Sequence, residues 1–265
     1  MVHKKYVFTL LIMVLVSGLV LNGCSKRPPL ENMDDKTAFR YLNEKYEAGK
    51  YVDASEGFDF FTLNFSGSAY VDSAQYLLGM CHYNLKEYLL AADSFEELHR
   101  RFPRSKLVPE AMYMVGESYY KLSPKYQLDQ SYTEKAIDNL QGFIDYFPTH
   151  TESVQKAQNL IDLCREKIAH KEYANGIIYL KMKDYGSAII YFRQVIDMYY
   201  DTEWAALSIY QLGVSYALNK QLEEAESTFR VFIAKYPDHS WLAKVENTLK
   251  ELTEEPKESS EEPEE

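Results

Sequence analysis

The chain has 265 residues, of which 46% are hydrophobic and 14% aromatic, and its formal net charge is −11. This length and apolar content fit one elongated repeat domain or two compact domains. The negative charge argues against a nucleic-acid partner and against charge-driven docking of the whole chain onto anionic lipid, because both need clustered Lys and Arg.

Residues 1–23 have the features of a signal peptide. A basic start at residues 3–5 is followed by an apolar run over residues 6–21, which is short for a membrane span. The run closes on Leu21-Asn22-Gly23-Cys24, which resembles the lipobox of bacterial lipoproteins. The resemblance implies cleavage before Cys24, a diacylglyceryl group on its thiol and an acyl chain on its new amine. Asn22 departs from the usual Ala or Ser, and an ordinary secretory signal is the alternative.

Residues 24–36 are interpreted as a lipid-anchored linker between the membrane and the folded body. Pro28 and Pro29 make this spacer stiff. No acidic residue follows Cys24 directly, and by resemblance to other lipoproteins this implies transport to the outer membrane, with the protein on the periplasmic face.

A period of 37 residues organises the chain over residues 37–252. The spacing separates Gly79 from Gly116, Gly176 from Gly213, Ala54 from Ala91, and Ala188 from Ala225. A fixed period in this range is the signature of a helical solenoid, in which each hairpin buries its apolar face against its neighbours. The sequence therefore predicts an all-α fold: a right-handed α-solenoid of about five hairpins, closed by a capping helix from Trp241.

The third unit departs from the period. Eight additional residues fall between its two helices, within residues 122–130, and Ser131 to Glu134 has the pattern of a capping box that restarts the helix. Residues 152–183 contain no Pro and a single Gly, which predicts one long helix leading into the fourth unit.

Two cysteines, Cys81 and Cys164, lie on apolar helix faces in separate units, which favours buried core thiols over a disulfide. Residues 253–265 are rich in Glu, and from Glu254 onward they have no apolar residue. Such a segment buries too little surface to offset its ordering entropy, so a disordered acidic tail is predicted, with a tail that binds a basic partner as the alternative.

The recurring Gly, Tyr, Ala and Phe positions match the tetratricopeptide repeat over residues 38–240. Two stretches are more specific: residues 120–137, which contain Tyr120-x-Leu122-x-Pro124, and residues 171–185, which begin Lys171-Glu172-Tyr173-Ala174-Asn175. Together with the lipobox, the five repeats and the length, they resemble the BamD family, the lipoproteins of the outer-membrane β-barrel assembly machinery.

The family resemblance implies a non-enzymatic scaffold. Its C-terminal repeats are expected to bind the barrel-inserting subunit of the assembly complex. Its N-terminal repeats are expected to meet the C-terminal signal of unfolded outer-membrane proteins, a strand that ends in an aromatic residue. An adaptor for cell-wall machinery and a glycan-capture lipoprotein, whose tyrosines would stack on sugars, are the alternative functions.

The first helices of the repeats line the concave side of such a solenoid. Helical spacing places six aromatic residues on the lining face of units one to three: Phe39, Tyr46, Tyr76, Tyr83, Tyr113 and Tyr120. Aromatic rings give rigid contact area, and tyrosine hydroxyls can bond to a peptide backbone. A groove for an extended, aromatic-ended peptide is the hypothesis, and simple packing of an aromatic stripe is the alternative.

No pattern in the sequence indicates catalysis. There is no Gly-rich phosphate loop, no H-E-x-x-H and no G-x-S-x-G, and the six His are scattered. No cofactor or metal is expected, and the lipid on Cys24 is the expected covalent group.

Overall fold

The computed structural model describes residues 30–254. Within this range the chain forms a short 3-10 turn at Leu30–Asn32 and eleven α-helices, with no strand. The helices are α1 Asp35–Glu47, α2 Tyr51–Asn64, α3 Val71–Asn84, α4 Tyr88–Arg101, α5 Val108–Leu122, α6 Ser131–Tyr146, α7 Thr151–Lys181, α8 Tyr185–Met198, α9 Glu203–Leu218, α10 Leu222–Lys235 and α11 Leu242–Glu254. Each helix packs mainly against its neighbours in the chain. The predicted all-α solenoid is confirmed.

The core of each hairpin is built on Ala and Phe one turn apart in its second helix. The pairs Ala91 and Phe95 in α4 and Ala225 and Phe229 in α10 are fully buried. In the third unit, Leu140 takes the place of the Phe. A small residue lets two helices approach closely, and the large residue one turn later fills the space beside the contact.

The repeating glycines mark the closest approach of the two helices in a hairpin. A Cβ added to Gly79 would lie 2.6 Å from Phe95 Cε1, and one added to Gly213 would lie 2.5 Å from Phe229 Cε1. Neither ring is free to move, because each is fully buried. These two hairpins therefore require glycine at this position of the repeat, because any side chain would overlap the buried ring.

In four of the hairpins, the turn between the two helices contains one residue in the left-handed backbone conformation. Gly49 has a φ of 71°, and Lys86, Lys183 and Lys220 have φ values of 63°, 62° and 61°. A non-glycine residue in this conformation costs about 1–2 kcal/mol. The three lysines thus adopt an unfavourable backbone conformation, which the packing of the two flanking helices imposes.

The long helix is present as α7 and belongs to two units. Ala157 and Ile161 in its first half pack with Leu140 and Phe143 of α6. Tyr173 and other residues of its second half pack against the core of the last two hairpins. One uninterrupted helix therefore joins the N-terminal and C-terminal repeats.

The inserted loop, residues 123–130, closes around a buried amide. The Gln130 side chain donates to the carbonyl oxygens of Lys125 and Leu128, both at 3.0 Å, and accepts from the Thr133 hydroxyl at 2.6 Å. The predicted capping box is wrong. Ser131 is already the first helical residue, so it is not the N-cap. Its N–H donates to the Asp129 carboxylate at 3.0 Å, and this aspartate supplies the acceptor that a capping serine would have supplied.

Two lysines of α7 and a stack of three rings attach this loop to the rest of the solenoid. Lys167 Nζ donates to Ser123 Oγ at 2.5 Å, and Lys171 Nζ donates to the Leu128 carbonyl at 3.0 Å. The ring centroids of Tyr126 and His170 are 3.5 Å apart, and those of His170 and Trp204 are 3.9 Å apart. The loop, α7 and α9 are therefore connected through His170.

Gly213→Ala should destabilise the protein by about 1–3 kcal/mol, because the new methyl group overlaps the buried Phe229 ring. The matched control is Gly142→Ala in α6, where nothing lies within 4 Å of an added Cβ. That variant should gain about 0.5–1 kcal/mol, since Ala favours a helix interior over Gly. Urea unfolding followed by circular dichroism measures both. Equal shifts in the two variants would contradict the close-approach explanation.

The stack makes a prediction about pH. Burial lowers the pKa of His170 below its ordinary value, and the charge of Glu203 opposes this only partly. In a Trp241→Phe background, the fluorescence of Trp204 should therefore change as its stacked imidazole gains a proton, with a midpoint below about pH 6.5. Because the unfolded chain binds that proton more readily, the free energy of unfolding should decrease as pH falls below the pKa that His170 has in the unfolded chain.

His170→Gln should remove the fluorescence transition, whereas His239→Gln, at a ring that neighbours Trp241 instead, should leave it in place. A midpoint at or above the ordinary histidine value would show that His170 is not buried between the two rings.

Candidate functional site

Four tyrosines from the first helices of units one to three gather on one face. Tyr46 lies on α1, Tyr76 and Tyr83 on α3, and Tyr113 on α5, and all four are half-buried. We call these four side chains, together with Glu110 and Glu117 of α5, the tyrosine groove. The 37-residue repeat aligns the helices, and the seven-residue spacing of Tyr76 and Tyr83 keeps both on the same side of α3.

Glu117 is the acceptor at the centre of the groove. The Tyr83 hydroxyl donates to Glu117 Oε1 at 2.9 Å. Burial, and then the hydrogen bond to and charge of Glu117, raises the pKa of Tyr83. Burial, followed by the charge of Glu117, raises the pKa of Tyr113 to about 12. These hydroxyls therefore stay protonated at neutral pH and remain hydrogen-bond donors.

The other two tyrosines extend the groove toward its N-terminal side. Burial, followed by the nearby charge of Glu110, raises the pKa of Tyr76, whose ring tilts against Phe95 at 5.5 Å. Tyr46 packs edge-on against Tyr51 at 5.5 Å, and burial also raises its pKa. Each ring thus has one face fixed in the core.

Phe39 and Tyr120 make different contacts from the other four. Phe39 stacks on Tyr70 with ring centroids 5.1 Å apart and packs with the core of the first hairpin. The Tyr120 ring lies beneath α7, with Lys167 Nζ 5.7 Å from its centroid. Tyr120 still packs on the same core cluster as Tyr76, Tyr83 and Tyr113, and Phe39 on the same cluster as Tyr46. These two residues therefore differ from the other four in their contacts and not in the core on which they pack.

Sequence reasoning missed the two carboxylates. Glu117 follows Tyr113 by one helical turn, so the same spacing that selected the tyrosines could have found it. With it, the groove offers hydroxyl donors, carboxylate acceptors and exposed ring faces. Unpaired N–H and C=O groups of an extended peptide need such partners.

A cleft that the sequence did not indicate lies beside the inserted loop. It has a volume of about 610 Å³, and its lining includes Lys125, Lys167, His170 and Trp204. The Glu166 carboxylate at its margin accepts the N–H of Glu203 at 3.1 Å, and burial raises the pKa of Glu166. The rings of His170 and Trp204 stack on each other, and Lys167 bonds to Ser123 of the loop. The main role of these lining residues is therefore to hold the inserted loop against α7 and α9.

The remaining sequence predictions concern the cysteines and the membrane. Cys81 and Cys164 are free and buried, as predicted, and burial raises their pKa values to about 12 and about 11. Cys24 lies outside the described residues. Across residues 30–254, no helix combines the length and apolarity needed to cross a bilayer. The same range contains no cluster of His, Cys, Asp and Glu suited to a metal ion.

Two curated proteins resemble part of the chain, and both carry the description outer membrane protein assembly factor BamD. The protein from Rickettsia prowazekii (strain Madrid E) is 33% identical over 113 residues, which are 43% of this chain and 45% of that protein. The protein from Caulobacter vibrioides (strain ATCC 19089 / CIP 103742 / CB 15) is 30% identical over 113 residues, 43% of this chain and 37% of that protein. The chain thus matches less than half the length of either relative.

Among solved structures, a TPR repeats protein from Bacteroides fragilis NCTC 9343 is similar over 83% of this chain and 99% of its own, with 14% sequence identity and a TM-score of 0.48. The family described as YfiO, outer membrane lipoprotein, matches residues 31–226. This match spans well over half of the chain, and with the two BamD relatives it confirms the resemblance found in the sequence. The chain belongs to the YfiO family of outer membrane lipoproteins.

Proposed function

We propose that this protein is a lipid-anchored, non-enzymatic scaffold for the assembly of outer-membrane β-barrels. It sits on the periplasmic face of the outer membrane. Its tyrosine groove receives the extended C-terminal signal of an unfolded outer-membrane protein, and its C-terminal repeats bind the barrel-inserting subunit. The observation that carries the proposal is the gathering of three half-buried tyrosines, Tyr76, Tyr83 and Tyr113, around Glu117, with Tyr46 beside Tyr76 on the preceding repeat.

The chemistry of the groove suits an extended chain that ends in an aromatic residue. The peptide's aromatic side chain would pack against the exposed faces of rings such as Tyr76 and Tyr113, which are already held by Phe95 and Phe143. Because these rings are fixed before the peptide arrives, little side-chain entropy is lost on binding. The hydroxyls and carboxylates supply partners for the backbone groups that a strand leaves unpaired outside a sheet.

The C-terminal repeats supply a different kind of surface. Large apolar side chains are exposed on units four and five: Ile178, Met182, Ile190, Leu218 and Leu222. Met182 is 68% exposed and Ile190 is 66% exposed. Exposed apolar side chains are found at protein interaction sites, although the N-terminal repeats also expose some, such as Val52 and Leu63. Those on units four and five support a role for these two repeats in binding the barrel-inserting subunit.

The anchor on Cys24 supports the location. Each buried methylene of an acyl chain contributes about 0.8 kcal/mol, and one chain alone binds a bilayer only reversibly. Three chains on one residue therefore hold the protein at the membrane, whatever its surface charge. The proposed groove is then kept where unfolded barrel proteins arrive.

The double variant Tyr83→Ala with Tyr113→Ala should weaken binding of a peptide with a C-terminal aromatic residue by about tenfold or more, which corresponds to about 1.4 kcal/mol. Tyr83→Phe keeps the ring and loses only the donor to Glu117, so its effect should be smaller. Isothermal titration with a synthetic peptide measures both. Tyr146→Ala is the control, because Tyr146 is 73% exposed and lies on α6, outside the groove. If the double variant has the same melting temperature as the parent and its affinity is unchanged, the tyrosines serve only to pack the repeats and do not bind the peptide.

Cys24→Ser should release the protein from the membrane, because the side chain that carries the diacylglyceryl group is lost. Fractionation of membranes and soluble periplasm measures the release, and mass spectrometry of the N-terminal peptide reports acylation in the parent. Ser25→Ala, one residue further on, is the control and should stay in the membrane fraction. A parent chain with an unmodified Cys24 would contradict the anchor.

A further inference from the structure

The loops that join one hairpin to the next lie on the edge of the solenoid from which the N-terminal linker departs. The first two of these loops are residues 65–70 and 102–107, and neither contains an acidic residue. Four exposed cations lie at the second loop: Arg100, Arg101, Arg104 and Lys106. We call these four residues the basic corner. It stands out because the chain as a whole carries a net charge of −11.

The acidic residues beside the basic corner are already engaged. The Asp72 carboxylate accepts the Ser105 hydroxyl at 2.6 Å. Glu97 forms ion pairs with Arg100 and, at 3.7 Å, with Arg101. Arg104 and Lys106 form no ion pair with any residue in the range 30–254. Within the described range, Arg104 and Lys106 are therefore exposed positive charges without an ion-pair partner.

The basic corner is close to the point where the linker begins. The Ser68 hydroxyl in the first loop donates to the Asp35 carboxylate at 2.7 Å, which joins that loop to the start of α1. The same bond between Ser105 and Asp72 joins the second loop to the start of α3. Arg101 also donates to the Thr62 carbonyl at 3.4 Å. Neighbouring contacts thus connect Leu30 to the basic corner along one edge.

The length of the linker limits how far this edge can be from the membrane. Cys24 precedes Leu30 by six residues. Six residues span at most about 20 Å when fully extended. An acylated Cys24 therefore keeps Leu30 within about 20 Å of the lipid headgroups. The basic corner lies on the same edge as Leu30, whereas the turns inside the hairpins lie at the other end of the helices.

We propose that the basic corner faces the bilayer and contacts the phosphate groups of its lipid headgroups, so that the anchor and the corner together fix the orientation of the solenoid. The proposal rests on the anchor at Cys24 in the proposed function. The acyl chains hold the protein at the surface, and the corner decides which edge faces the lipid.

The negative net charge of the chain is compatible with this orientation. At physiological ionic strength, interactions of exposed charges are screened beyond about 8 Å, so the charges nearest the bilayer dominate. The opposite edge also carries lysines, and two of them precede an acidic residue: Glu87 follows Lys86, and Asp184 follows Lys183. Acids lie on the linker edge too, at Asp34, Asp35 and Asp72, so the proposed orientation depends on the local charge of the basic corner.

The experiment measures orientation on a bilayer whose anchor is supplied chemically. The mature chain, residues 24–265, is joined through the Cys24 thiol to a maleimide phospholipid in phosphatidylglycerol-containing vesicles. The thiols of Cys81 and Cys164 are buried and are protected from the reagent. A fluorescent amino acid replaces Ser66 in the first loop or Asn219 on the opposite edge, both of which are exposed. Lipids with a nitroxide on the headgroup then quench whichever site lies near the surface.

Quenching should be several-fold stronger at position 66 than at position 219. Arg104→Glu with Lys106→Glu should bring the two positions to the same level. The matched control, Lys183→Glu with Lys220→Glu, changes the net charge equally on the opposite edge and should keep the difference. Thermal melting checks that all variants are folded. Equal quenching at both positions in the parent, or no effect of reversing the corner, would overturn the proposal.

Inorganic phosphate separates a lipid surface from a site for the free ion. Compared with sodium chloride at equal ionic strength, it should cause no additional loss of quenching at position 66. A specific loss would assign the corner to free phosphate and overturn the lipid contact. Because the anchor is attached chemically, these results do not depend on natural acylation. An unmodified natural Cys24 would therefore refute the anchor without deciding what the corner does.

Discussion

The close contact between a residue without a side chain on one helix and a buried ring on the next is the constraint on which this structure depends. Gly79 against Phe95 and Gly213 against Phe229 set the distance between the paired helices. That distance, repeated at a fixed interval, keeps the first helices aligned along one face. Residues on the same face of successive first helices then come together, as Tyr83 of α3 and Glu117 of α5 do. The candidate site therefore follows from the packing of the repeat.

The sequence predicted the repeating part of the fold and the long helix because both have a simple periodic cause. The inserted loop could not be predicted, since its conformation depends on partners far along the chain. Its buried Gln130 and its ring contact with His170 follow no local rule, and the apparent cap at Ser131 was wrong because Asp129 supplies the acceptor. For the same reason, spacing alone could not show that Phe39 stacks on Tyr70 or that Tyr120 lies beside Lys167.

Both halves of the molecule expose large aliphatic side chains, and the N-terminal half also holds the tyrosine groove. The N-terminal hairpins combine half-buried hydroxyls with carboxylates, which suits backbone groups and aromatic side chains. The last hairpins expose aliphatic side chains such as Met182 and Ile190, which suit a folded partner. The proposed function assigns one protein partner to each of these regions. In the proposed orientation, the basic corner would give the solenoid a fixed side toward the lipid.

Helix α7 is shared by the N-terminal and C-terminal repeats, since it runs without a break from the third unit into the fourth. Its residues also hold the inserted loop through Lys167 and Lys171, near the middle of the helix. The third and fourth units are therefore joined by unbroken helical backbone and not by an inter-repeat loop, so the axis of a single helix sets the orientation of one unit relative to the other.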